Sequence, residues 1–139
     1  MSYWRLFYHI VWATRNREPL IGAEVAADLY QVIAGKATQL GAIVHAVGGI
    51  EDHVHVATSV PPKLALSEFI GQLKGSSAHL ANHKLALPVT FAWQAEYGVL
   101  SFDGKQLARI IAYVQEQKQH HAQGTLIPVL ERSASPRSS

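Results

Sequence analysis

The residues best suited to chemistry in this chain are His53 and His55, two positions apart in the stretch GGIEDHVHVATSV. In an extended strand, alternation puts both imidazoles on one face and Val54 and Val56 on the other. Their Cα atoms then lie roughly 6.5 Å apart, so two ring nitrogens can converge on one ion. The same pair also fits two sheet-face histidines with no ligand. Asp52 beside them is either an acceptor that orients one ring or a plain turn residue.

A second set lies late in the chain. Leu107, Ile110, Ile111 and Val114 recur at helical spacing and form an apolar stripe. Steps of about 100° gather Gln106, Tyr113 and Gln117 on the flank of that stripe, with Arg109 and His120 just beyond. Tyr113 and Gln117 are i and i+4 neighbours, so a phenol and an amide oxygen project side by side. A half-buried tyrosine on an ordinary amphipathic helix gives the same pattern. Lys118 falls on the apolar side, so the stripe ends before it, and His120 and His121 at a fraying helix end read as surface residues. A third set, Lys74, Ser76 and Ser77 in QLKGSSAHL, offers donors to phosphate oxygens, or else marks a cap or a surface bend.

The elements that must position these residues follow from periodicity and breakers. WRLFYHIVWAT (4–14) is aromatic and β-branched, as strands are. RNREPLIG reads as a loop, and Val25, Leu29, Val32, Ile33 and Ala37 then place a helix over 23–40, ended by Gly41. AIVHAVGGI and EDHVHVATSV form a hairpin stopped by Pro61 and Pro62. Leu66, Phe69, Ile70 and Leu73 give a helix over 65–85, with Ser67 and Glu68 near its capped start. FAWQAEYGVLSF (91–102) is a strand with a break near Glu96, and Asp103 caps a last helix running to about 121. RSASPRSS, small and polar, reads as a disordered tail over 132–139 beyond one domain over 1–131. The order βαββαβ is the ferredoxin-like α+β split sandwich, with the tyrosine on an added C-terminal helix. That fold hosts RNA binders, regulatory domains and enzymes, so it does not fix function.

Composition narrows the chemistry. The 139 residues contain no cysteine, which excludes disulfides, thiolate metal sites and a Cys nucleophile. The net charge of +2 permits nucleic acid as a partner, with Arg15 and Arg17 clustered after the first strand and Lys63, Lys74 and Lys84 in the middle third. Eight histidines can titrate or bind metal near neutral pH. Scattered acidic residues argue against a carboxylate-based metal nuclease, and neither a P-loop nor a G-x-S-x-G elbow is present. Apolar runs fall far short of the ~20 residues that span a bilayer. No signal peptide is read at the start, so the chain is expected in the cytoplasm, without a membrane partner.

The pieces GGIEDHVHV, PPKLALSEFIGQLKGSSAHL, FAWQAEYGVLSF and AYVQEQKQHH, in this order and spacing, resemble the single-tyrosine HUH transposases of small bacterial insertion sequences. The resemblance spans Tyr8 to Glu131. It implies that His53 and His55 are metal ligands, that Gln117 completes the metal site and that Tyr113 is the nucleophile. It implies Mg²⁺ or Mn²⁺, although imidazole alone suits zinc or other transition metals better. The implied partners are single-stranded DNA with hairpin ends, at the nucleoid, and a second subunit. In such a homodimer the His pair of one protomer meets the Tyr helix of the other.

In the implied reaction Tyr113 attacks phosphorus, leaving a 5′-phosphotyrosine and a free 3′-OH, and reversal joins strands without ATP. No side chain stands out as the base for Tyr113. Arg15, Arg17, Lys63, Lys74, Ser76 and Ser77 are expected to contact the DNA backbone. Trp12 or Trp93 either stacks a base or packs in the core, and binding weakens steeply with salt. Two other readings keep the same residues: a domesticated HUH nickase acting on chromosomal repeats, and a non-catalytic ferredoxin-like binding module in which Tyr113→Phe changes nothing.

Overall fold

The structure, a computed structural model, describes residues 2–85 and 87–134. Four strands, β1 (Phe7–Ala13), β2 (Ile43–Ile50), β3 (His53–Ser59) and β4 (Gly98–Phe102), form one sheet in the order β2-β3-β1-β4. Every neighbouring pair is antiparallel. Helices α1 (Ala23–Gln39) and α2 (Leu66–His83) supply the two crossovers. This is the ferredoxin-like arrangement expected from the βαββαβ order.

Alternation sorts the strand residues between two cores. Ile10 and Trp12 of β1 and Val54 and Val56 of β3 point to α1 and α2, where Leu29, Ile33, Phe69, Ile70 and Leu73 cover them. The opposite face carries His9, His53, His55 and Ala57. It is covered by α3 (Leu107–Gln115), α4 (Gln117–Gln123) and the single turn α5 (Pro128–Glu131). The central strand β3 is therefore buried along its whole length.

Three local expectations change. The last helix is broken at Glu116, whose φ of −109° and ψ of 32° leave the helical region, so α3 and α4 are separate. The expected strand 91–102 keeps only β4, joined upstream by a lone bridge between Trp93 and Thr14. Helix α2 begins without a side-chain cap from Ser67 or Glu68. Asp103 does cap as expected, accepting from the Lys105 amide in the turn that leads into α3. Residues 135–139 of the expected disordered tail lie outside the described residues. Its first residues do not run free: Arg17 Nη2 donates to Ser133 Oγ at 3.3 Å, and Gln94 Nε2 donates to the Ser133 carbonyl at 3.2 Å.

Candidate active site

A two-residue turn, Glu51–Asp52, delivers His53 and His55 at the start of β3. Both imidazoles are buried, at 1% and 0% exposure. Asp52 Oδ1 accepts from His53 Nδ1 at 2.7 Å, so Asp52 does orient a ring. His55 is held by a residue that sequence reasoning passed over: His9 Nε2 lies 2.7 Å from His55 Nδ1, and His9 is itself buried. Burial first, and the neighbouring His55 second, bring the His9 pKa down to about 3, so this ring is neutral at working pH. If Nδ1 of each site histidine carries the proton, Nε2 is left with a lone pair facing the site, which is the tautomer that cation binding requires.

The third member also lies outside the expected set. Glu131, on α5, places Oε1 at 3.2 Å from His53 Nε2 and Oε2 at 3.4 Å from His55 Nε2. Neither contact has hydrogen-bond geometry, so both Nε2 atoms are buried without a hydrogen-bond partner. One ligand atom from each of the three residues falls within 4.8 Å of the others. Two unpaired buried nitrogens facing a carboxylate form a site that fits a divalent cation. Burial pushes the Glu131 carboxyl up, but the His53 and His55 contacts outweigh it and hold the group well below the usual carboxylate range. Burial likewise pulls His53 down, and the Glu131 and Asp52 contacts more than restore it, whereas burial prevails at His55 and lowers it.

Tyr113 stands beside this cluster. It is 2% exposed, and its hydroxyl donates to Glu131 and accepts from the Ile127 amide at 3.0 Å. Its ring meets His55 edge-on at 5.9 Å. Burial first, then the Glu131 contact, push its phenol up to about 12, so the hydroxyl keeps its proton at neutral pH. Close approach of α3 to the sheet depends on Gly48 of β2, where a Cβ would run into the Val114 carbonyl. Gly98 of β4 does the same for the Arg132 carbonyl and so admits the segment that carries Glu131.

Gln117 is buried as well, but both ends of its amide are engaged. Nε2 donates to the Tyr113 carbonyl at 3.1 Å, and Oε1 lies 3.1 Å from His121 Nε2. His121, expected at the surface, is half-buried with Nε2 at 3.3 Å from Glu131 Oε1, and its ring lies 4.9 Å from that of His53. His120, expected there too, stacks on Tyr113 at 4.7 Å. One chain thus brings the His pair and the tyrosine together, without the second subunit that the resemblance called for.

The expected DNA contacts divide. Arg15, Arg17 and Lys63 are exposed, and Arg17 lies 3.8 Å from Asp52, next to the site. Ser77 is corrected: it is fully buried, donates to the Leu73 carbonyl and accepts from Trp93 Nε1, so it cannot reach a phosphate. Lys74 turns to the carbonyls of Gln94 at 2.6 Å and Glu96 at 3.3 Å. Ser76 lies half-buried on an uninterrupted α2. Trp12, fully buried, packs edge-on against Trp93 at 5.7 Å and is core rather than a stacking platform. Glu131 carried no sequence signal, being an isolated carboxylate beyond the last periodic helix; only the His-X-His spacing pointed to its partners.

Comparison with known proteins agrees with this geometry. The family model described as "Transposase IS200 like" matches residues 2–117. The ISDra2 transposase TnpA of Deinococcus radiodurans is 29% identical over 119 residues, 82% of this chain and 85% of its own length. A crystal structure of a protein from Deinococcus radiodurans R1 covers 84% of this chain and 95% of its own, with a TM-score of 0.62 and 28% identity. A REP-associated tyrosine transposase bound to a REP hairpin covers 99% of this chain and 96% of its own, with a TM-score of 0.61. At 15% identity that last likeness shows the fold alone.

Proposed function

This chain belongs to the IS200-like transposase family, and we propose that it cleaves and rejoins single-stranded DNA through a covalent bond to Tyr113. The single observation that carries the reading is the contact of Tyr113 with Glu131, whose carboxylate also faces both site histidines. Nucleophile and cation site are therefore one buried cluster.

In this reading the Tyr113 oxygen attacks a backbone phosphorus in line. An Oη–P bond forms, the P–O3′ bond breaks, and the 3′ oxygen leaves with the bonding pair and takes a proton, giving a 3′-OH. The phosphodiester is exchanged rather than hydrolysed, so a later 3′-OH can reverse the step. With its pKa near 12, the phenol is not ionised beforehand, and its proton leaves as the bond to phosphorus forms. His53 and His55 would hold Mg²⁺ or Mn²⁺, with Gln117 as the third ligand that the resemblance implies. Bound there, the cation would polarise the phosphate and offset charge in the transition state. Asp52 and His9 hold the two imidazoles in register from behind, and burial of the cluster keeps bulk water from competing with the 3′-OH.

The substrate is proposed to be a single strand with a hairpin end, supported by the hairpin in the REP-associated relative. Exposed Arg15, Arg17 and Lys63 are the proposed backbone contacts, so affinity falls steeply with salt. A homodimer that exchanges the Tyr helix would rebuild the same cluster across two chains.

The test is incubation of the protein and Mn²⁺ with labelled single strands from its own locus, followed by a denaturing gel. A shifted protein–DNA band is expected from the wild type. Tyr113→Phe should lose it by about 10⁴-fold or more while still binding the hairpin. An unchanged adduct in Tyr113→Phe, or none from any strand of the locus with the wild type, overturns the reading.

A further inference from the structure

The carboxylate that faces the two histidines comes from a part of the chain that the family match does not reach. The match ends at residue 117, and Glu131 follows α4 on the separate turn α5. That turn is built in: Leu130 is buried against the core that holds Tyr113 and Val114, Gly98 makes room for the Arg132 carbonyl, and Ser133 is bonded from Arg17 and Gln94. Its carboxylate is thereby placed by packing on both sides.

The distances then discriminate between ligands. Two donor atoms each about 2.1 Å from one ion, at 90–110°, lie roughly 3.0–3.4 Å apart. Glu131 meets His53 Nε2 at 3.2 Å and His55 Nε2 at 3.4 Å, the spacing of ligands around a common centre. Hydrogen bonding does not explain the approach, since both nitrogens lack a hydrogen-bond partner. Gln117, by contrast, spends its amide on the Tyr113 carbonyl and on His121. His121 lies between the two, reaching both Gln117 Oε1 and Glu131 Oε1.

We infer that Glu131, and not Gln117, is the third protein ligand of the cation site, and that the same carboxylate holds the hydroxyl of Tyr113 beside the ion. Gln117 acts one layer back, as the residue that orients His121 and closes the helix break. Two imidazoles and a carboxylate form a mixed donor set suited to Mn²⁺ and other divalent transition ions. The inference rests on the transesterase reading only for the role of Tyr113, not for the ligand set.

The experiment titrates the full chain, without DNA, with Mn²⁺ and follows the free ion by electron paramagnetic resonance. Glu131→Gln is expected to bind at least about tenfold more weakly than wild type, while Gln117→Ala stays within about threefold. Circular dichroism and thermal unfolding in chelator check that each variant folds. Should Glu131→Gln fail that check, Glu131→Asp takes its place; it keeps the charge, draws the oxygens back by one methylene and should also weaken binding. Wild-type affinity in the Glu131 variant, or an equal loss in Gln117→Ala, overturns the inference. Adduct formation by the same proteins is read separately. Wild-type adducts with unimpaired Mn²⁺ binding in Glu131→Gln sink the inference alone, whereas Tyr113-independent adducts sink the reading alone.

Discussion

The two faces of the sheet are held by opposite means. Towards α1 and α2 the strands present Ile10, Trp12, Val54 and Val56 to a continuous apolar core, where each side chain has several interchangeable neighbours. Towards α3, α4 and α5 the same strands present His9, His53 and His55, each held by one or two specific polar partners. Apolar burial is non-directional and adds up over area, so the first face tolerates error. Buried polar contacts are directional and costly when broken, so the second face works only as a complete set. Stability resides mainly on one side of a strand and chemistry on the other.

That division can be broken from either side. His53→Ala should remove divalent-supported cleavage by about 10³-fold, the several kcal/mol that a bound cation supplies to a transition state, while leaving the thermal midpoint in chelator little changed. Cleavage assays with Mn²⁺ titrated to saturation check this, and a midpoint that collapses with activity would place His53 on the stabilising side. Leu73→Ala on the other face should cost about 2–5 kcal/mol in urea unfolding yet leave adduct formation per folded molecule unchanged.

A smaller effect sharpens the contrast at His9, a polar residue that also bears on stability. Its folded pKa of about 3 lies below the unfolded value of 6.5. Its contribution is therefore fully present above pH 6.5 and is lost as pH falls towards 3, by roughly 3 kcal/mol at pH 4. His9→Gln, whose amide oxygen can still accept from His55, should flatten that acid limb. Urea midpoints from pH 4 to 8 in chelator decide the matter, and parallel curves for the two proteins would refute it.

What the sequence made legible tracks the same division. Periodicity found α1, α2 and the hairpin because apolar residues repeat where a face is buried. His53 and His55 were legible because two identical polar residues at strand spacing break an otherwise apolar pattern, and Tyr113 because it flanks a helical stripe. His9 was hidden inside an aromatic run that reads as an ordinary strand. Glu131 was hidden because its partners are 76 and 78 positions away and α5 is a single turn without a period. The break at Glu116 was invisible because its flanks are strong helix formers, and tertiary packing overrode their propensity.

The turn Glu51–Asp52 carries a consequence of its own. With only two residues between Ile50 and His53, which pair across it, the hairpin leaves β3 no slack. A single residue inserted there would rotate the whole strand half a turn about its axis. Val54 and Val56 would be aimed at Tyr113, and the two imidazoles would be driven among the leucines and phenylalanines of α2. The length of a loop that touches no substrate thus decides which side of the strand does chemistry.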